Sequence, residues 1–459
     1  MNKAVFGSIV LAAGKGTRMK SRRPKVLHEV AGLSMVGHVL RSLRQAGAGE
    51  TVLVTAPEQD DVRTAAAALA PGLQLAVQEQ QKGTADAVKS ARSYLSDELR
   101  PVIVLCGDTP LLKSQTLIDL IGSTTERGDI AVLGFRAADP TGYGRLLLGN
   151  DGYLVEIREH ADASAEQRAI DLCNSGVIAF KSAGLLAMLD EIGNDNAKGE
   201  YYLTDIIAIA RSKGLKISVL ECGEEEVVGV NSRAQLAEAE ALMQDRLRLR
   251  AMDDGVTLIA PETVYLSADT ALSEDVTIEP HVVIGPGVSI GRGAHIHAFC
   301  HLERTEIDDN ATVGPYARLR PGAHIGTGAK IGNFVEIKNA EIEAGAKVNH
   351  LSYIGDARVG EKANVGAGTI TCNYDGFAKH TTDIGAGAFI GSNSALVAPV
   401  KIGDGAYVGS GSVISKDVEP NALAVTRSPQ LQRANWAQRK RAAGARANEK
   451  IDQTRKQQA

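Results

Sequence analysis

From about Val276 onward, aliphatic residues return every six positions: Ile278, Ile284, Ile290, Ile296 and Leu302. After a one-residue slip the series resumes as Val313, Leu319, Ile325, Ile331 and Ile337. It runs on through Ile342, Val348, Ile354, Val359 and Val365, and closes with Ile384, Ile390, Leu396, Ile402, Val408 and Ile414. Two positions earlier stands a small or apolar residue, as at Ala317, Ala323, Ala329, Ala363, Ala388 and Ala406, and Gly very often follows the aliphatic one. A period of six matches neither the 3.6 of a helix nor the 2 of a strand. It fits a β-solenoid in which each hexapeptide forms one flat side and its corner. The aliphatic side chains stack inside, and Gly and Asn turn the corners. A single break, Thr371–Asp383 (TCNYDGFAKHTTD), maps to a loop on one face.

The rest of the chain obeys another rule. Up to about residue 230, β-rich runs (Ser8–Ala12, Thr51–Thr55, Val102–Cys106, Ile130–Phe135, Val177–Phe180) alternate with helical patterns such as Met35–Ala46 and Ala85–Tyr94. That alternation predicts a mainly parallel sheet covered by helices on both faces, with ligands beyond the carboxyl ends of the strands. Residues 232–252 have no Gly or Pro and read as one long connecting helix, N-capped by Asn231 or Ser232. After Arg427 the repeats stop. From Gln430 the tail carries eight Lys or Arg against two acidic residues and reads as a solvated, partly disordered extension.

With 459 residues, two or three domains are expected at roughly 100–200 residues each. A formal net charge of -5 gives no global footprint for nucleic acid. The five cysteines (Cys106, Cys173, Cys222, Cys300, Cys372) are scattered, without a CxxC pair, which favours free thiols in a reducing cytoplasm. Ala4–Ala13 is apolar, but only Lys3 precedes it and GKGTRMK follows, so it reads as a buried first strand and not a signal peptide. No run approaches the ~18–20 apolar residues that span a bilayer.

The first candidate site is LAAGKGTRM (Leu11–Met19), with Pro24 and Lys25 six residues later. Gly14 and Gly16 let backbone N–H groups approach phosphate oxygens, while Arg18 and Lys25 supply positive charge for a triphosphate. The loop is neither a dinucleotide fingerprint nor a Walker A motif. Asp108 follows a strand and suits a hard, oxygen-seeking cation. The pattern LxxGxGxRM…PK resembles the sugar-nucleotide pyrophosphorylases. That resemblance implies that Leu11, Ala12, Ala13, Gly14 and Lys25 bind UTP and the UDP-sugar product. It further implies that Gln78, Gly83 and Thr84 read uracil, Gly144, Glu159 and Asn174 read the sugar, and Asp108 and Asn231 hold Mg²⁺.

The second site consists of polar groups where a repeat needs none: Arg320, Lys338, His350, Tyr353 and Asn364, with Asn373 and Tyr374 in the inserted loop. Arg320 and Lys338 suit a sugar phosphate, and His350 suits proton transfer from an amine near neutral pH. His295, His297 and His301 are spaced as in solenoid carbonic anhydrases. They flank the inward Ile296 and Leu302, however, so they are expected to point outward, and no metal is assigned to them.

Both halves, in this order and with this helix between them, resemble the bacterial family of bifunctional N-acetylglucosamine-1-phosphate uridyltransferases and glucosamine-1-phosphate N-acetyltransferases. The likeness covers about residues 4–430. It implies an α/β nucleotidyltransferase domain with a Rossmann-like mixed sheet (1–231), a linker helix (232–254), a left-handed parallel β-helix (255–429) and the basic tail (430–459). It implies acetyl transfer from acetyl-CoA to glucosamine-1-phosphate, then uridylyl transfer from UTP with release of pyrophosphate, serving cell-wall and lipopolysaccharide synthesis. His350 is then the general base, with Arg18 and Lys25 stabilising charge in the uridylyl step. Arg320, Lys338, Tyr353 and Asn364 bind the amino sugar phosphate. Ala367, Asn373, Tyr374, Ser392, Ser410 and Arg427 contact acetyl-CoA, although Ser410 stands where the family pattern has Ala. The resemblance also implies Mg²⁺, a homotrimer packed through the solenoids, and a cytoplasmic enzyme. The alternative is a single-function pyrophosphorylase whose solenoid only oligomerises; it leaves His350, Asn373 and Tyr374 without a role.

Overall fold

The computed structural model describes residues 6–94, 100–181 and 184–458. Lys3 and the start of the apolar N-terminal run lie outside the described residues. The chain divides after residue 310 into two compact units.

The first unit is built on a nine-stranded sheet. Its strands are β1 (Phe6–Leu11), β2 (Ala48–Thr55), β3 (Gln74–Val77), β4 (Val102–Cys106), β5 (Ile130–Arg136), β6 (Arg145–Leu148), β7 (Leu154–Arg158), β8 (Leu172–Phe180) and β9 (Ile217–Cys222). The spatial order is β9-β5-β8-β4-β1-β2-β3, with β6 and β7 as a side ribbon on β8. The strands β4, β1, β2 and β3 run parallel. β8 runs antiparallel to β4 and β5, so the sheet is mixed. Alternation puts Val10, Leu53, Ile103 and Leu105 into one core and Ile9, Val52, Val54 and Val104 into the other. Continuous β-branched runs are what two buried faces require.

Local chemistry fixes the helices. Met35–Ala46 starts at Ser34, whose hydroxyl accepts from Gly37 N–H, and ends at Gly47 in the left-handed conformation. The predicted Ala85–Tyr94 helix is shorter, Thr84–Ser90, followed by a 3₁₀ turn at Arg92–Tyr94. The long helix is Arg233–Asp253, capped by Ser232, whose hydroxyl accepts from Gln235 N–H. It is no free-standing spacer. The Glu240 carboxylate accepts from Ala31 N–H, and Arg246 donates to Leu111 O at 2.8 Å. The buried Gln244 amide both donates to Leu266 O and accepts from Leu266 N–H, which offsets its desolvation. The helix and the first coils therefore pack with the sheet, and the compact division falls at 310 and not at the helix.

The repeats form parallel coils of three hexapeptides. In the first unit Ile278 pairs with Ile296 and Ile284 with Leu302. In the second, Ile331, Val348, Val365, Ile390 and Val408 pair in succession up one face. These inward side chains are buried. Polar side chains also point inward, as at Thr371, partnered with Leu396, whose hydroxyl donates to Gly355 O and accepts from Gly355 N–H. Corners expected to need Gly or Asn also hold Tyr316, Phe334 and Leu351 at positive φ. The Tyr316 and Phe334 rings stack with centroids 5.1 Å apart, a contact that offsets backbone strain. The glycines after the aliphatic residues answer a second need, close approach. A Cβ on Gly326 would lie 2.8 Å from Ile342 O.

The tail differs from expectation. Trp436–Gln458 is helical, and its side chains through residue 448 are exposed. Its Ala, Gln, Arg and Lys content favours a helix without a core. Among the described residues no helix is long and apolar enough to cross a membrane.

Candidate functional sites

At the carboxyl ends of β1 and β4, Gly107 N–H donates to Leu11 O and closes the two strand ends together. A cleft of about 250 Å³ opens there, lined by Leu11, Ala12, Ala13, Gly14, Lys25, Gln78, Gly83, Thr84 and Asp108. Five further liners had no role legible in the sequence: Val26, Gln81, Ala87, Cys106 and Glu200. Gln81 donates to Ala13 O at 2.8 Å and ties the far wall to the phosphate loop.

Lys25 holds the centre of this cleft. Its ammonium contacts the Asp108 carboxylate and donates to Asn231 Oδ1 at 3.0 Å. Two oxygens from distant points of the chain thus converge on one positive charge. Val230 N–H donates to Asp108 O, which brings Asn231 to the site. An oxygen pair arranged around a cation is the donor set a hard ion such as Mg²⁺ takes, so these residues fit it. Gly16 sits at φ 58°, and a Cβ there would lie 2.6 Å from Lys25 Cβ; Gly14 would meet nothing. Gly16 is thus required by packing and Gly14 is open. Arg18 is exposed on the loop and does not line the cleft. Burial, with the Asp108 charge beside it, pushes the Cys106 thiol up to about 12, so it is no nucleophile at neutral pH.

The Gln78 amide nitrogen donates to Gly83 O at 3.0 Å and to Asp86 Oδ2 at 2.8 Å. Asp86 therefore orients Gln78, a role not visible in the motif. Gly83, at φ 125°, lies so near Tyr201 that a Cβ would stand 2.8 Å from Tyr201 N. Thr84 Oγ1 accepts from Leu203 N–H. Gly144, Glu159 and Asn174 gather separately. Gly144 O accepts from Asn174 N–H at 2.8 Å, and a Cβ on Gly144 would be 3.5 Å from Glu159 Oε1. Glu159 accepts from Thr204, and burial raises its carboxyl above the usual range.

In the second unit, coil stacking arranges the other site. The paired column Ile331, Val348, Val365, Ile390 and Val408 carries, two residues on, Asn333, His350, Ala367, Ser392 and Ser410. Each stands two residues past a buried one: His350, Ser392 and Ser410 are exposed and Asn333 and Ala367 half-buried, so the five form one outward ladder. Its rungs are the coil spacing of about 4.8 Å. Asn333 Oδ1 accepts from His350 Nδ1 at 2.7 Å, which leaves Nε2 with its lone pair. Asn333 carried no sequence signal. Ser410 O accepts from the Arg427 guanidinium, a backbone contact that does not depend on the Ser-for-Ala change.

Across the exposed Leu351 corner lies a second ladder. Leu319 pairs with Ile337, which places Arg320 and Lys338 one above the other. Arg320 donates to Glu336 at 2.8 Å. Lys379, from the inserted loop, shares a hydrogen with Lys338 and repels its charge, holding that ammonium below its ordinary value. Three cations so close suit a dianionic phosphate. Tyr353 Oη accepts from Asn373 Nδ2 at 3.4 Å, and Asn373 also donates to Asp356. Asn364 pairs with Phe389 in the coil and is half-buried. The inserted loop is ordered around Asp375, whose carboxylate accepts from Ala378 N–H, the His380 ring and Phe377 N–H and is held well below the usual range. Tyr374 lies exposed on it, its hydroxyl donating to Gly376 O.

Known proteins match both halves. Residues 8–176 match the MobA-like NTP transferase domain, and residues 269–304, 304–339 and 381–416 match the bacterial transferase hexapeptide (six repeats). A protein of Azorhizobium caulinodans named "Bifunctional protein GlmU" is 57% identical over 435 residues, covering 95% of this chain and 97% of that one. A Bradyrhizobium protein of the same name is 57% identical over 448 residues, 98% of each chain. One from Rhodopseudomonas palustris is 58% identical over 439 residues, 96% of this chain and 97% of its own. The hexapeptide coils are thus those of a left-handed β-helix, the handedness expected above.

Proposed function

The chain belongs to the family of bifunctional GlmU proteins, and from that premise we propose how its two sites divide the synthesis of UDP-N-acetylglucosamine. It is one enzyme with a uridyltransferase and an acetyltransferase activity, which removes the single-function alternative. The uridyltransferase occupies residues 1–231, the helix of 232–254 links it, and 255–429 carries acetyl transfer.

Acetyl transfer comes first. Arg320, Lys338 and Lys379 hold the phosphate of glucosamine-1-phosphate, with Tyr353 and Asn364 against the sugar. Acetyl-CoA lies along Ala367, Ser392 and Ser410, with Asn373, Tyr374 and Arg427 beside it. His350 Nε2 takes a proton from the amine as its nitrogen attacks the acetyl carbonyl. The carbonyl–sulfur bond breaks and CoA leaves as the thiol. The observation that carries this reading is the Asn333–His350 hydrogen bond, which leaves Nε2 as base beside the ladder of Ala367.

N-Acetylglucosamine-1-phosphate then moves to the first site. Gly144, Glu159 and Asn174 bind its sugar, and Gln78, Gly83 and Thr84 bind uracil. A sugar phosphate oxygen attacks the α-phosphorus of UTP in line, and pyrophosphate leaves. Lys25 neutralises the phosphate oxygens in the transition state, and Arg18 adds positive charge from the exposed loop outside the cleft lining. Asp108 and Asn231 would hold Mg²⁺, which when bound would supply further neutralisation of phosphate charge. The protein acts in the cytoplasm as a homotrimer joined through its solenoids. Purified chain given all three substrates should release CoA and pyrophosphate together; release of only one overturns the division.

A further inference from the structure

Two coils of the first unit carry a cluster that neither site uses. Ile278 and Ile296 are inward partners in successive coils. The residue after each faces outward, so Glu279 and His297 lie one above the other. His295, two residues before His297, opens the strand that His297 follows and faces the same way. A glycine commonly follows the inward residue; here a carboxylate and an imidazole take that place.

The three side chains converge. Glu279 Oε1 stands 3.0 Å from His295 Nε2 and 2.9 Å from His297 Nδ1. The two rings stack with centroids 4.3 Å apart. Glu279 Oε2 accepts from Ala298 N–H at 2.9 Å, which fixes the carboxylate in place. The candidate ligand atoms all lie within 4.8 Å of one another. A solvated face does not need two imidazoles aimed at one oxygen.

We propose that Glu279, His295 and His297 form a three-ligand site for a borderline transition-metal ion, Zn²⁺ by preference, on the surface of the first coils. Two imidazoles and one carboxylate select Zn²⁺, Co²⁺ or Ni²⁺ over Mg²⁺ or Ca²⁺. Ligands at ~2.0–2.1 Å around a tetrahedral ion lie about 3.4 Å apart, a few tenths wider than the spacing here. The side chains are 39%, 30% and 26% exposed for His295, His297 and Glu279, so rotamer adjustment supplies that opening. The Ala298 N–H acts as the outer partner that orients the ligating carboxylate. The fourth position faces water. Both ligating nitrogens must be unprotonated, so acid competes with the ion for them. His301, on the next side of the coil and paired with Val283, is not part of the set.

The full chain, stripped with chelator and kept in excess Mg²⁺, is titrated with Zn²⁺ by calorimetry and with Co²⁺ by visible absorption. The expected result is one Zn²⁺ site per chain and the intense bands of four-coordinate Co²⁺. His297→Ala abolishes both, and Glu279→Gln weakens affinity about tenfold or more. Both variants should keep acetyl and uridylyl transfer, which shows that they fold. Uptake equal in wild type and both variants, or no uptake in the wild type, overturns the site.

Discussion

Asn333 accepts a 2.7 Å hydrogen bond from Nδ1 of His350, its paired neighbour one coil away. The bond fixes tautomer and ring plane together, because an amide oxygen only accepts. His350→Ala should cost about 10²–10⁴-fold in acetyl transfer. Asn333→Ala should cost about 10-fold or more, with KM for acetyl-CoA little changed. Asn333→Asp restores the acceptor but favours the imidazolium, so the acid limb of kcat/KM should move to higher pH. Initial rates of CoA release across pH read all three.

The crowding of Lys338 by Lys379 lowers the Lys338 ammonium from its ordinary value. A bound phosphate relieves that repulsion. Lys379→Ala should raise KM for glucosamine-1-phosphate about ten- to a hundredfold, the loss of one charged hydrogen bond. The same change should return the Lys338 ammonium upward, which ¹⁵N-detected lysine titration measures. A KM unmoved by the change removes Lys379 from the phosphate site.

Gly83→Ala tests the uracil wall. The new Cβ meets Tyr201 at a positive φ, so the turn must shift by several tenths of an ångström. Uridylyl transfer should fall while acetyl transfer stays intact, as parallel assays of pyrophosphate and CoA would show.

Cys106 lines the nucleotide cleft, yet its thiol is pushed up to about 12. Alkylation by iodoacetamide should therefore stay slow up to about pH 9, the thiolate being scarce below its pKa. Cys106→Ala should retain uridylyl transfer. Rapid, UTP-protected inactivation at neutral pH would contradict this.

The repeat was legible because burial imposes the same side-chain chemistry at every inward position. The phosphate loop and Asp108 were legible because charge and chain flexibility must occur there together. Asn333, Lys379 and Asp86 were not legible. Each acts through a neighbour brought close by coil stacking or by a turn, and no spacing in the sequence marks that. Thr371 broke the aliphatic rule because its hydroxyl binds the Gly355 backbone. Glu279 belongs to no motif in the sequence; coil stacking places it against His295 and His297. The long helix was visible as an element, but its packing through Gln244 and Arg246 was not.

The central claim is two independent chemistries in one chain. The most direct measurement follows CoA and pyrophosphate release in His350→Ala and Asp108→Asn, each supplied with glucosamine-1-phosphate, acetyl-CoA and UTP, and then with N-acetylglucosamine-1-phosphate and UTP. The account predicts that His350→Ala loses CoA release but still makes pyrophosphate from the acetylated sugar, and that Asp108→Asn does the reverse. Loss of pyrophosphate release from N-acetylglucosamine-1-phosphate and UTP in His350→Ala, or loss of CoA release in Asp108→Asn, would contradict it.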